Sequence, residues 1–197
     1  MELGHLPMAF DWQVAPADWT VGLAGTLHIV AGPRTDLFLD PAGGPPQLSA
    51  PRLMAAVEGD FQLSAYVKAD LQATFDAGAL VLHAADDTWV KLALERSPQG
   101  EPMVVSVVTR GLSDDANGRV VTGDAVWLRI SRARATCALH ASDDGVRWEL
   151  VRYFAFTAPD GLSAGFLAQS PTGERCAATF DGLDFVAEPL AELRDGS

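Results

Sequence analysis

Cleavage of a glycosidic bond needs two carboxyl groups roughly 5–9 Å apart, and a strand supplies such a pair when acids recur on alternate residues. No candidate strand of this sequence carries acids at i and i+2 or i+4. The nearest pair is Asp76 and Glu95, from neighbouring candidate strands. They would serve as acid and base if they face one cleft, and as a polar bridge between strands if they do not. The zinc-protease helix H-E-x-x-H, the phosphate loop and the dinucleotide fingerprint are absent. His5, His28, His83 and His140 are dispersed, so no metal site and no cofactor are expected. Cys137 and Cys176 are too few and too far apart for a disulfide framework, and read as buried strand thiols. Asp86-Asp87 and Asp114-Asp115 are candidate calcium ligands, although adjacent aspartates in turns equally act as solvated caps.

Alternation groups further polar residues by strand face. Trp89, Lys91 and Glu95 share one face of a strand whose other face is Val90, Leu92 and Leu94. Trp127 and Arg129 share a face, His140 and Ser142 another, and Arg152 lies with Trp148 and Leu150. If these strands are neighbours, Trp89, Lys91, Glu95, Trp127, Arg129, His140 and Arg152 form one cluster. Aromatic and charged groups together suit a carbohydrate or another small polar ligand, whose ring stacks on indoles while its hydroxyls find donors and acceptors. An ion-paired network under a long loop accounts for the same residues without a ligand. Lys91 and Glu95 stand about 13 Å apart along a strand at 3.3 Å per residue, so neither is the other's partner. Asp76, Arg129 and Arg152 are the partners expected.

The elements that must position these groups are strands. Period-two alternation dominates, as in Phe61-Gln62-Leu63-Ser64-Ala65-Tyr66-Val67-Lys68. Met103 to Thr109 is apolar on both faces and reads as a central, doubly covered strand. Further candidates are 19–23, 26–31, 35–39, 52–58, 76–84, 89–95, 125–132, 135–142, 147–156, 163–169 and 174–186. Turn signals separate them, among them Asn117-Gly118, Asp143-Asp144-Gly145 and Pro159-Asp160-Gly161. Such spacing describes an all-β sandwich or barrel with almost no helix. Asp40 to Pro51, rich in proline and glycine, reads as a long surface loop, and only 188–194 has the pattern of a short helix.

The chain has 197 residues and a formal net charge of −12, with 26 acidic against 14 basic side chains. Its length fits one domain, able to bury about 70% of the unfolded surface without a metal or disulfide staple. A surface of that sign repels phosphate backbones, and the densest basic run, Arg129, Arg132 and Arg134, is too sparse to reverse it, so no nucleic-acid partner is expected. No apolar run approaches a membrane span, and Met1 to His5 lacks the basic and apolar regions of a secretory signal. The cytoplasm is the compartment expected.

An ordered set of short motifs runs through the chain. Its centre is Phe75-Asp76-Ala77-Gly78-Ala79-Leu80-Val81-Leu82, then Trp89-Val90-Lys91-Leu92 with Glu95, Ser106-Val107-Val108-Thr109 and Ser113-Asp114. Trp19 and Thr35-Asp36-Leu37-Phe38 precede it. Trp127-Leu128-Arg129, the turn from Ser142 to Trp148, Val151-Arg152-Tyr153 and Ser170-Pro171-Thr172-Gly173 follow. Over roughly residues 10–186 this set resembles a family of unknown function in the concanavalin A-like lectin/glucanase superfamily, whose best-known fungal member is called a regulation-of-enolase protein. The resemblance implies a jelly-roll sandwich of two antiparallel sheets and no established reaction. Ala77 stands where members often have glutamine, and Asp115 where they often have tryptophan, which removes groups that would touch a ligand. Three functions stay open: a non-catalytic carbohydrate or small-ligand binding domain, a glycoside-acting enzyme using Asp76 and Glu95, and a regulatory domain with an unknown protein partner.

Overall fold

A computed structural model of the chain describes every residue except His5, Ala24, Pro159 and Asp160. His5 and the Pro159-Asp160 turn therefore lie outside the described residues. The alternating segments form two seven-stranded antiparallel sheets. The front sheet has the spatial order β1 (Asp11–Val14), β6 (Arg52–Val57), β15 (Leu162–Gln169), β8 (Ala77–Ala85), β9 (Thr88–Arg96), β10 (Pro102–Arg110) and β11 (Leu112–Val120). The back sheet runs β14 (Glu149–Ala155), β13 (Thr136–Ser142), β12 (Ala125–Ala133), β7 (Phe61–Ala69), β16 (Cys176–Val186), β3 (Leu27–Ala31) and β2 (Asp18–Val21). A two-stranded ribbon, β4 (Leu37–Phe38) with β5 (Gln47–Leu48), stands apart.

The sheets pack face to face on the residues that alternation selects: Leu80, Leu82, Val90, Leu92, Leu94 and Phe166 from the front, Leu63, Val67, Leu128, Leu139 and Phe180 from the back. Phe166 and Phe180 meet across this core with ring centroids 5.2 Å apart. Cys137 and Cys176 are buried, free thiols, both pushed up to about 12 by burial. The outer face of the front sheet is also apolar. Met54, Ala79, Val81, Trp89 and Leu167 there form a second core with Leu37 and Ala50 of the segment joining β3 to β6. That segment is pinned at three places. Leu39 and Ser113 exchange hydrogen bonds at 2.9 Å, Thr35 bridges to Ser170, and Arg52 Nη1 donates to the carbonyls of Leu48 (3.0 Å) and Ala50 (3.2 Å).

Several expectations are corrected. Asn117-Gly118 lies within β11, not in a turn. Met103 pairs with Val120 and Val105 with Asn117, so the dipeptide sits at a bulge that accommodates one extra residue. β10 is second from the edge rather than central. Its two-sided burial comes from Val104 and Val108 in the main core and from Val105 and Val107 under the covering segment. Asp40 to Pro51 is not wholly loop, since Gln47–Leu48 pairs with Leu37–Phe38. Residues 188–194 are irregular and enter a turn only at Leu193, and no helix occurs among the described residues. So short a helix has too few internal hydrogen bonds to stand alone, and the tail's carbonyls bond the back sheet instead.

Gly165 of β15 lies where β6 comes closest: a Cβ there would stand 1.9 Å from the Leu53 carbonyl oxygen and 3.0 Å from Met54 Cα. Backbone cannot give way as a side chain can. Gly165→Ala is expected to destabilise the domain by at least roughly 1–3 kcal/mol, read as a lowered midpoint of chemical unfolding, whereas Gly123→Ala, with no atom near its added carbon, should cost only the strain of its positive φ.

Candidate functional site

β9 carries Lys91 and Glu95 outward beneath the covering segment, as alternation requires. Between them and that segment lies a cavity of about 120 Å³. Its apolar walls are Phe38, Phe75, Val105 and Val107, and its polar groups are Asp36, Lys91, Glu95, Asp115 and Gln169. Lys91 is 2% exposed, donates from Nζ to Gln169 Oε1 at 2.9 Å, and lies 3.6 Å from Asp36 Oδ1. Gln169 Nε2 in turn donates to the Phe75 carbonyl at 3.1 Å, which orients the amide. Phe75 holds φ at +69°, a left-handed conformation that costs an aromatic residue on the order of 1–2 kcal/mol.

Glu95 differs from Lys91. It is 8% exposed, yet its carboxyl group makes no hydrogen bond to any described residue. Burial pushes its pKa up to about 7; Lys91 opposes the rise, while Asp36 and Asp115 add to it. An unpaired buried carboxyl at a cavity wall can accept or donate a hydrogen bond near neutral pH.

The second member of the expected acid pair has another role. Asp76 is fully buried, and its carboxylate accepts hydrogen bonds from the backbone N–H of Ala73 (2.7 Å) and Gln72 (3.1 Å) and from Ser170 Oγ (2.7 Å). It closes the turn before β8 and is not among the cavity's groups. Trp89 is likewise no platform. It is wholly buried in the outer core, its indole parallel to the His83 ring at 6.5 Å.

The single cluster expected from alternation is divided by the sandwich itself. Trp127, Arg129 and His140 belong to the back sheet, where Leu128, Ile130 and Leu139 point into the core and these three point away from it. Arg129 therefore cannot partner Lys91 or Glu95, which face outward on the opposite side. Arg152 is separate again. Its guanidinium bonds the carboxylate (3.1 Å) and carbonyl (3.2 Å) of Asp114, tying the β14 margin of one sheet to β11 of the other. The partners of Lys91 are Gln169 and Asp36, which sequence spacing could not nominate because nothing local reveals that β15, β8 and β9 are consecutive.

On the back sheet, His140 Nε2 donates to the Leu193 carbonyl at 2.9 Å, and burial with Arg129 nearby lowers its pKa to about 4, so the ring is neutral at neutral pH. The Ser142 to Trp148 turn forms as its residues dictate: Asp144 Oδ1 accepts from the N–H groups of Val146 and Arg147, both at 2.8 Å, and Gly145 adopts φ +72° against the Trp127 indole. Gly161 to Gly165 has the form G-x-S-x-G, but Ser163 sits in β15 between His83 and Ala56 rather than on a strand-to-helix turn, so it is no nucleophile elbow.

Because the folded state raises the Glu95 pKa, the folded protein binds a proton more tightly than the unfolded chain between pH 4.5 and 7, and stability falls as pH rises through that window. The fall amounts to roughly 3 kcal/mol at 1.36 kcal/mol per pKa unit. Glu95→Gln should remove it. Urea unfolding is expected to find the variant near wild type at pH 4 and more stable than wild type at pH 8.

The family model described as "Protein of unknown function (DUF1349)" matches residues 12–187. A functionally unknown protein from Saccharomyces cerevisiae superposes with a TM-score of 0.85 at 24% identity, covering 92% of this chain and 97% of that one. The GH43 protein BlXynB from Bacillus licheniformis superposes at 0.73 with 15% identity, over 90% of this chain but 37% of its own. An alginate lyase from Klebsiella pneumoniae superposes at 0.58 with 13% identity, over 85% of this chain and 83% of the lyase. No curated protein sequence matches. The structural likenesses establish a concanavalin A-like sandwich fold. The family match spans most of the chain, and the protein belongs to the DUF1349 family of unknown function.

Proposed function

We propose that the front-sheet cavity binds a single small polar ring, a monosaccharide unit above all, without catalysing its cleavage. The observation that carries this reading is Glu95: a largely buried residue whose carboxyl group bonds no described protein group and opens on the cavity, beside Lys91, whose Nζ makes one hydrogen bond, to Gln169. A ligand hydroxyl in the cavity would supply a hydrogen bond to this carboxyl group. Two phenyl rings and two valines offer apolar contact to the C–H groups of a sugar, while Asp36, Asp115 and Lys91 offer further hydrogen bonds. The strained backbone of Phe75 at the same cavity supports the reading, since such strain concentrates where a ligand is held. A cavity of about 120 Å³ is small for a cofactor and seats part of one ring.

One observation favours a second reading. A carboxyl with its pKa near 7 at a wall shared with Asp115 and Asp36 could act as a general acid toward a glycoside, with Glu95 and not Asp76 as its key residue.

Calorimetric titration of the purified chain with a panel of neutral monosaccharides is expected to find at least one binder whose affinity drops tenfold or more in Glu95→Gln, with the variant's melting temperature not lowered. Equal binding by Glu95→Gln, or no binder in the panel, would remove the proposal. Release of product from aryl glycosides by the wild type, lost in Glu95→Gln, would establish the catalytic reading in its place.

A further inference from the structure

The back sheet holds a second buried charge without a counter-ion. Arg129 is 7% exposed, and no acidic side chain lies within 4 Å of its guanidinium among the described residues. Its Nη2 donates to the Gly196 carbonyl at 2.6 Å, while Nε, on the same edge of the guanidinium, has no partner. Those two N–H groups point in parallel and match the two oxygens of a carboxylate. A carbonyl oxygen fills half of such a fork.

We infer that this edge of Arg129 is a binding site for the carboxylate of a sugar acid, held at present by the Gly196 carbonyl. Three features select the ligand class. The guanidinium lies 4.1 Å over the Trp148 ring, so the carboxylate's own plane would continue along an indole. Beside it opens a groove of about 320 Å³ walled by Trp127 and Trp148. Finally, Asp184, Ser64 and Arg129 stand in register across β16, β7 and β12, with Gln62 on the same face of β7, which gives a row of hydroxyl partners next to the carboxylate fork. A neutral sugar would leave Nε unmatched, a bare carboxylate would leave the row and the indoles unused, and Asp184 repels a second negative charge.

The tail can yield this place. Gly196 has φ +81°, and a Cβ there would lie 2.8 Å from Arg129 Nη2 and 2.9 Å from Trp148 Cβ. Only glycine fits so close in that conformation. The tail is bonded to this face through the Gly196 and Leu193 carbonyls, both neutral acceptors, and a charged acceptor makes the stronger bond to a guanidinium. This site is independent of the front-sheet cavity, since the two open on opposite faces of the sandwich.

The test is titration of the full chain with sodium glucuronate, glucose and sodium acetate, followed by the arginine Nε–H resonances in nitrogen-15 correlation spectra and by calorimetry. Glucuronate is expected to shift one arginine Nε–H signal, and, followed at that signal, to bind at least tenfold more tightly than glucose or acetate. Arg129→Lys, whose spectrum reports whether it folds, should lose that preference. Gly196→Ala, which unseats the tail, should bind glucuronate several-fold more tightly, and Glu95→Gln should bind it as wild type does. Glucose or acetate moving that arginine signal at as low a concentration as glucuronate, a folded Arg129→Lys that binds glucuronate as tightly as wild type, or a Gly196→Ala that binds it more weakly would each overturn the inference. Loss of glucuronate binding in Glu95→Gln would overturn it too, by placing the acid in the front cavity.

Discussion

A two-sheet sandwich hides one face of each sheet, yet β8 and the first part of β9 carry apolar side chains on both. Leu80, Leu82, Val90 and Leu92 fill the space between the sheets, while Ala79, Val81 and Trp89 point the other way. The fold therefore depends on the segment from Gly32 to Pro51 lying down over the front sheet. Leu37, wholly buried there, stabilises the closed position by about 2 kcal/mol through burial alone. The segment cannot be apolar throughout, because its own backbone needs partners. Ser113, Ser170 and Arg52 supply them from the sheet. Beneath Asp36 and Phe38 of this segment, β9 keeps its polar residues Lys91 and Glu95, and the cavity is left between them and the cover.

Each outer face thus carries one buried charge that the protein itself does not satisfy in full. Glu95 lacks a hydrogen-bond partner on the front, and Arg129 has a single carbonyl on the back, with burial lowering its pKa to about 10. They contrast with Asp76, equally buried but satisfied by three hydrogen bonds, and with Lys91, held by an amide and a carboxylate. The same chain therefore satisfies buried charges where they serve the fold. Taking a charge out of water without a full set of partners costs free energy, so the two exceptions are costs to folding.

Alternation carried much of the fold. The inward sets of β7 and β9 are those that period-two reading selects, because a pleated strand leaves no other way to divide its side chains between two faces. What alternation cannot carry is strand order. Trp89 to Glu95 and Trp127 to His140 look alike in one dimension, but β9 and β12 belong to different sheets, and the non-local pairings that separate them leave no local trace. β11 was hidden for a different reason. It is an edge strand with one side paired and most side chains exposed, so Leu112 to Val120 shows no apolar period, and its bulge uses the Asn-Gly that elsewhere makes a hairpin. Trp89 was legible as outward but not as covered, since its burial is made by Leu37 and Ala50, far along the chain. Gln169 and Asp36 complete the cavity from β15 and the covering segment, and only the folded arrangement brings them to Lys91.

The net charge of −12 separates the demands on the two faces. A neutral sugar at the front cavity feels no long-range field, so its affinity would rest on contacts and hydrogen bonds alone. An anion approaching Arg129 meets repulsion from the acidic surface once it comes within a Debye length, about 8 Å at physiological ionic strength. Its attraction must therefore be short-ranged, made by the paired N–H groups of one buried guanidinium in a setting that salt screens poorly. Added salt weakens the repulsion on approach more than the contact at the fork. The affinity of such an acid should hold or rise with ionic strength, opposite to the steep loss seen when a basic surface binds a phosphate chain. A domain this acidic can select a carboxylate only by geometry, and the fork of Arg129 over Trp148 is the arrangement on its back sheet that offers it.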